Sequence, residues 1–215
     1  MIKNIIFDFG GVIHDIRYEN VTDAIALLGI SGMDGFYSKN FQTHEMDLFE
    51  KGLISPVQYR DYIRRVSGHP ELSDQQIDDV TNAILIDVPK ERVALLLALR
   101  HRYRVFLFSN TNQINYDCFT RRLCDKYGFD IFDACFERAY FSQMMHTRKP
   151  SPEGFRHILS ENNLSADETL FIDDIAANAE GARQAGIHAY HLATGNIISL
   201  FDDGFALKKT LLTQI

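Results

Sequence analysis

Four short stretches dominated by apolar residues, 2–9, 104–108, 137–142 and 169–172, constrain this chain more than any other feature, and a weaker fifth lies at 188–192. They are rich in β-branched and aromatic residues and show little polar alternation. That is the pattern of strands buried on both faces, as in a parallel sheet covered by helices. Segments of helical pattern separate the later runs at 114–127, 152–162 and 176–185, the last of them ended by Gly186. Strands alternating with helices predict right-handed βαβ units and an α/β fold with a doubly wound parallel sheet.

Residues 16–88 break the alternation. Val21, Ala24, Ile25 and Leu28 recur at helical spacing, as do Tyr59, Tyr62, Ile63 and Val66, and glycines and prolines punctuate the segments between them. No strand is expected here. The reading is an α/β core of residues 1–15 plus 89–215, with a small all-helical unit, 16–88, inserted after the first strand. A helix at 89–101 leads back to the sheet. The insert's aromatic residues Phe36, Tyr37, Phe41 and Phe49 are expected to pack within it.

Charge and composition exclude several classes. Lys and Arg number 22 against 29 Asp and Glu, a net charge of −7, which disfavours binding to a phosphate backbone. The three cysteines form no CxxC pair and match no zinc spacing, so a reduced, cytoplasmic setting is expected. Asp8 interrupts the first apolar run too early for a signal-peptide core. The longest later run, 93–99, is far short of the ~20 residues that span a bilayer, so no membrane partner is expected.

In open parallel sheets ligands bind beyond the carboxyl ends of the strands. Asp8-Phe9-Gly10-Gly11-Val12 follows the first run, Ser109-Asn110-Thr111 the second, Arg148-Lys149-Pro150 the third, and Asp173-Asp174 the fourth, with Asn178 one turn on. A carboxylate, a hydroxyl, an ammonium and a carboxylate pair would converge on one edge. That inventory suits metal-assisted phosphoryl transfer. Asp8 is read as the nucleophile. Mg²⁺ held by Asp8 and Asp174, with Asp173 assisting, would neutralise the approaching phosphate. Lys149 adds a second positive charge, and Ser109, Asn110 and Gly11 are assigned to phosphate oxygens. The pair Asp173-Asp174 closes an apolar run and so calls for a cation, unlike Asp202-Asp203, which is expected in solvent. His188 and His191 stand at odd spacing on one strand and cannot share a metal.

The four motifs, in this order at strand ends, resemble those of the haloacid dehalogenase-like hydrolase superfamily over nearly the whole chain. The helical insert sits where a first-type cap domain sits in that family. Within the family the chain is most similar to the sugar-phosphate, glucose-1-phosphate-type phosphatases. The resemblance implies a Mg²⁺-dependent phosphatase of a small phosphorylated metabolite, and it makes the Gly10 carbonyl a metal ligand. It also implies a second Asp two residues after the nucleophile as acid and base, and here that position is Gly10. Three readings follow: a better leaving group such as a sugar 1-phosphate, a substitute from His14 or an ordered water, or slow hydrolysis by a protein that mainly binds phosphorylated ligands. A metal-independent 2-haloacid dehalogenase is the other alternative the resemblance carries.

Overall fold

The computed structural model of the protein describes residues 1–30 and 43–213. Phe36, Tyr37 and Phe41 lie outside the described residues. In chain order the elements are β1 (Asn4–Phe7), β2 (Asp15–Ile16), α1 (Glu19–Leu27), α2 (His44–Glu50), α3 (Pro56–Ser67), α4 (Asp74–Asn82), β3 (Leu85–Asp87), α5 (Lys90–Leu99) and β4 (Arg104–Ser109). There follow α6 (Gln113–Tyr127), α7 (Ile131–Cys135), β5 (Arg138–Phe141), α8 (Ser142–Met145), α9 (Pro152–Glu161), β6 (Thr169–Asp173), α10 (Ala176–Gln184) and β7 (His188–His191).

β5, β4, β1, β6 and β7 form one sheet in that order, every neighbouring pair parallel. β1 lies inside its apolar run, two residues short at each end, and the other four strands match theirs to within one residue. The physical reason is visible in the core. Ile5, Phe7, Leu107 and Ile172 point to one face, against α5, α6 and α7. Their neighbours Ile6, Phe106, Phe108 and Phe171 point to the other, against Phe155 and Ile158 of α9 and Ala179 and Ala182 of α10. Both faces are dry, so the strands read as continuous apolar runs.

Helices α1 to α4 gather a second cluster, which Ile114 of α6 joins and in which Phe49 stacks on Tyr59 at 4.3 Å. Capping boxes at Ser55/Gln58 and Ser73/Gln76 start α3 and α4. The stretch expected to be strand-free differs from that expectation in one respect. It is entered and left through an antiparallel ribbon in which Asp15 lies opposite Asp87 and Ile16 opposite Leu85. Strands of two and three residues carry no readable period, so local pattern could not announce them.

The insert also docks on the far side of the site. Arg148, in the loop after α8, reaches α2, with its Nε 2.9 Å from Glu50 and an NH1 3.2 Å from Asp47. His146 Nδ1 lies 2.9 Å from the Lys51 carbonyl. Among the described residues no helix is long and apolar enough to cross a membrane.

Candidate active site

The chain builds β1, β4 and β5 outward in one direction, then returns to place β6 on the other side of β1. The strand order therefore reverses between β1 and β6, and the crevice at their carboxyl ends is where such sheets hold ligands. Asp8 directly follows β1, Asp173 ends β6 and Ser109 ends β4. Together with Gly10, Tyr18, Glu50, Lys149, Asp174 and Asn178, Asp8 and Ser109 line a cavity of about 350 Å³ between core and insert.

Lys149 is the organising cation. It is 1% exposed, and its Nζ donates to Asp8 Oδ1 at 2.5 Å and to Asp173 Oδ2 at 2.7 Å. The rings of Phe108 and Phe171 lie 5.6 and 5.1 Å from the ammonium. Burial works against its charge, but Asp173 and Asp8 outweigh burial and hold it above the ordinary lysine value. The backbone of Lys149 is clamped as well. Asn110 Nδ2 donates to its carbonyl at 3.0 Å, and its own N–H donates to Asn110 Oδ1 at 2.9 Å. A Cβ on Gly181 of α10 would lie 1.9 Å from the Pro150 carbonyl oxygen, so only glycine lets α10 press this close to the loop.

Asp173 is fully buried and receives three donors: Lys149, the Ile175 N–H at 2.7 Å and Asn178 Nδ2 at 3.1 Å. Asp8, Asp173 and Asp174 each offer an oxygen within 4.8 Å of the others. Three carboxylates around one ammonium leave an excess of negative charge. Its effect falls on Asp8, whose carboxyl burial and the neighbouring Asp173 and Asp174 push up to about 8 against the pull of Lys149.

The two glycines that follow Phe9 after Asp8 are not equivalent. Gly11 has φ +79°, and a Cβ there would lie 2.7 Å from the Asp174 carboxylate carbon. At Gly10 a Cβ would meet only Ile16 side-chain carbons, at 3.4 Å or more. Gly11→Ala is therefore expected to destabilise by about 1–3 kcal/mol and displace Asp174. Gly10→Ala should stay within about 0.5–1 kcal/mol of the wild type. Thermal melts of the two variants check the contrast, and equal losses would contradict it.

A family model described as haloacid dehalogenase-like hydrolase matches residues 2–186. The chain belongs to the haloacid dehalogenase-like hydrolase family. It is 30% identical over 195 residues to a D-ribitol-5-phosphate phosphatase of Bacteroides thetaiotaomicron, covering 91% of this chain and 94% of that one. It is 29% identical over 190 residues to a sesquiterpene phosphatase of Aspergillus oryzae, with 88% and 89% covered. A crystal structure of a family enzyme from Bacteroides thetaiotaomicron, in complex with magnesium and inorganic phosphate, superposes with a TM-score of 0.83 at 33% identity, covering 88% of this chain and 93% of that one.

Within this family member, several expected site residues have other tasks. The Asn110 carboxamide is spent on the Lys149 backbone rather than turned to a ligand. The Gly11 N–H donates to the His14 carbonyl at 2.8 Å, so that amide is not offered to phosphate; what position 11 supplies is close approach to Asp174. The Thr111 N–H is likewise taken, by Ser142 Oγ at 3.0 Å. Ser109 is buried on the cavity wall, and the following helix is capped by Asn112. His14 places Nδ1 2.8 Å from the Asp15 carbonyl, which can only accept, so this nitrogen carries the proton. Burial lowers its pKa and keeps the ring neutral, edge-on to Phe9.

Motif reading gave no task to Tyr18, Glu50 or Arg148, which share the cavity wall. Arg148 stands beside Lys149 in the third motif. Nothing local marks the other two.

Proposed function

We propose that the protein is a Mg²⁺-dependent phosphatase of a small phosphorylated metabolite, working through an aspartyl phosphate on Asp8. The observation that carries this is a buried carboxylate, oriented by an ammonium and set among further acids, at the floor of a cavity of metabolite size. A phosphorylated polyol or sugar is the substrate class we favour, supported by the 30% identity to the D-ribitol-5-phosphate phosphatase.

The donors suit a hard dication. Asp8, Asp174 and the Gly10 carbonyl, to which no N–H is directed among the described residues, would hold it, while Asp173 is engaged by Lys149 and Asn178. Bound there, Mg²⁺ supplies positive charge that offsets both the carboxylates and the incoming phosphate. Asp8 attacks phosphorus, the bond to the leaving oxygen breaks, and water then hydrolyses the acyl phosphate. Lys149 keeps Asp8 aimed and counters charge on the transferring group. Asp173 and Asn178 hold Lys149 and each other in place. The Ser109 hydroxyl binds a phosphoryl oxygen. The insert, joined to Arg148 through Glu50 and Asp47, closes over the leaving group and excludes bulk water. A metal-free dehalogenase would leave the acidic excess without a counter-charge.

Phosphate release from a panel of phosphorylated polyols and sugars, assayed with Mg²⁺ and with EDTA, tests the reading. Turnover that needs the cation is expected. No release from any ester, or release indifferent to EDTA, would overturn it.

A pH dependence follows from Asp8. Its pKa in the folded chain, about 8, is raised above the unfolded carboxylate value of 3.8. Its contribution to stability is therefore complete at low pH and is lost as pH rises through about 8 in the metal-free protein. Mg²⁺ competes with that proton, so its affinity should rise between pH 6 and 8 by up to about tenfold per unit and then level off. Calorimetric titration at the two pH values, with buffers of different protonation enthalpy, reads both the affinity and the released proton. Equal affinity at both would refute the protonated ground state.

A further inference from the structure

Cleaving the phosphate ester of an alcohol expels an alkoxide unless a proton reaches the leaving oxygen as the P–O bond breaks. The groups around Asp8 differ in their capacity to give one. Lys149 is held by Asp8 and Asp173. Asp174 belongs to the acidic cluster, and Gly10 has no side chain. His14 spends its one N–H on the Asp15 carbonyl, and the charged groups that act on its ring include Asp87, Asp15 and Arg122.

Tyr18 is placed otherwise. It follows β2 immediately before α1, on the wall of the same cavity. The charged groups it faces are Asp174, Asp8, Glu50 and Asp173. Among the described residues its hydroxyl makes no hydrogen bond. By contrast Tyr127 donates to the Val88 carbonyl at 2.6 Å, and Tyr140 to Glu161 at 2.7 Å. A phenol with an unspent O–H therefore lines the same cavity as Asp8, among the acidic groups that would surround a phosphate ester bound there.

We propose that Tyr18 is a catalytic residue whose hydroxyl contacts the bridging oxygen of the substrate and protonates it as the P–O bond breaks. The bond from Asp8 to phosphorus forms, the electron pair of the broken bond goes to the leaving oxygen, and the phenol proton follows it. The water that later attacks the aspartyl phosphate returns a proton to the phenolate, so the cycle closes without another reactant. Burial and the facing carboxylates raise the phenol's pKa and keep it protonated between turnovers. This assignment rests on the phosphatase reading above.

Tyr18→Phe keeps the ring and removes the donor. The test compares kcat/KM, which covers steps up to departure of the leaving group, for D-ribitol 5-phosphate and p-nitrophenyl phosphate. The first expels a poor leaving group, the second a good one. The variant is expected to lose about 10²-fold on the alkyl ester and less than about threefold on the aryl ester. A thermal midpoint matching the wild type shows that the fold is kept, and a shift comparable to a core substitution would mark Tyr18 as structural and overturn the proposal. Parallel losses on both esters, or none on either, would also overturn it, since contact with the phosphoryl group alone does not depend on the leaving group. A wild-type protein inert toward both would remove the phosphatase reading itself, and this assignment with it. If the wild type hydrolyses both, only the assignment is at stake.

Discussion

Replacing Asp8 with Asn is expected to abolish ester hydrolysis, by at least about 10³-fold, while making the metal-free protein more stable at pH 8. The shape of the side chain is kept, and its amide oxygen can still accept from Lys149, which lies 2.5 Å from Asp8 Oδ1. What goes is the proposed nucleophile, itself one of three clustered carboxylates. The titrating carboxyl that burial, with Asp173 and Asp174, pushes up to about 8 disappears, and the stability lost at high pH disappears with it. Steady-state kinetics with Mg²⁺ and thermal melts in EDTA at pH 6 and pH 8 read the two effects separately. Undiminished turnover would place the nucleophile elsewhere, and an unchanged melting profile would refute the charge argument.

Lys149→Met should do the reverse to stability and the same to activity. Its ammonium is the counter-charge of both Asp8 and the fully buried Asp173, and methionine fills the space under Phe108 and Phe171 without replacing it. Removing one partner of a buried ion pair typically costs about 3–5 kcal/mol. For a chain of this size that corresponds to a fall of roughly 10 °C in Tm. Part of the loss should return as pH falls, because carboxylates without a partner take up protons. Combining Lys149→Met with Asp8→Asn should cost less than the two changes added separately, since they share one interaction. Chemical denaturation of the two single variants and the double variant measures the coupling, and strict additivity would contradict the network described here.

The four chemical motifs were legible because each sits where an apolar run stops. A strand buried on both faces permits a carboxylate or hydroxyl only at its open end, so Asp8, Ser109 and Asp173 announce both the strand and the site. The tasks of Asn110, Gly11 and His14 were not legible. Asn110 is one residue past a strand whether its carboxamide binds phosphate or clamps Lys149, and only the position of the loop 39 residues on decides which. The ribbon of β2 and β3 escaped for a different reason, since so few residues have no period.

What the amino-acid order determined by itself is the parallel α/β core, the inserted helices and the set of acids, ammonium and hydroxyl gathered at one sheet edge. Burial on two faces and the alternation of strand with helix are local patterns, and local patterns are written in neighbouring residues. What only the folded chain decided is which groups meet: Lys149 between Asp8 and Asp173, Arg148 against Glu50, and Tyr18 on the wall of the cavity that Asp8 lines. Those encounters join positions up to 141 residues apart, and they depend on how strand register, the β2–β3 ribbon and helix docking place side chains in space, for which no stretch of sequence carries a signature.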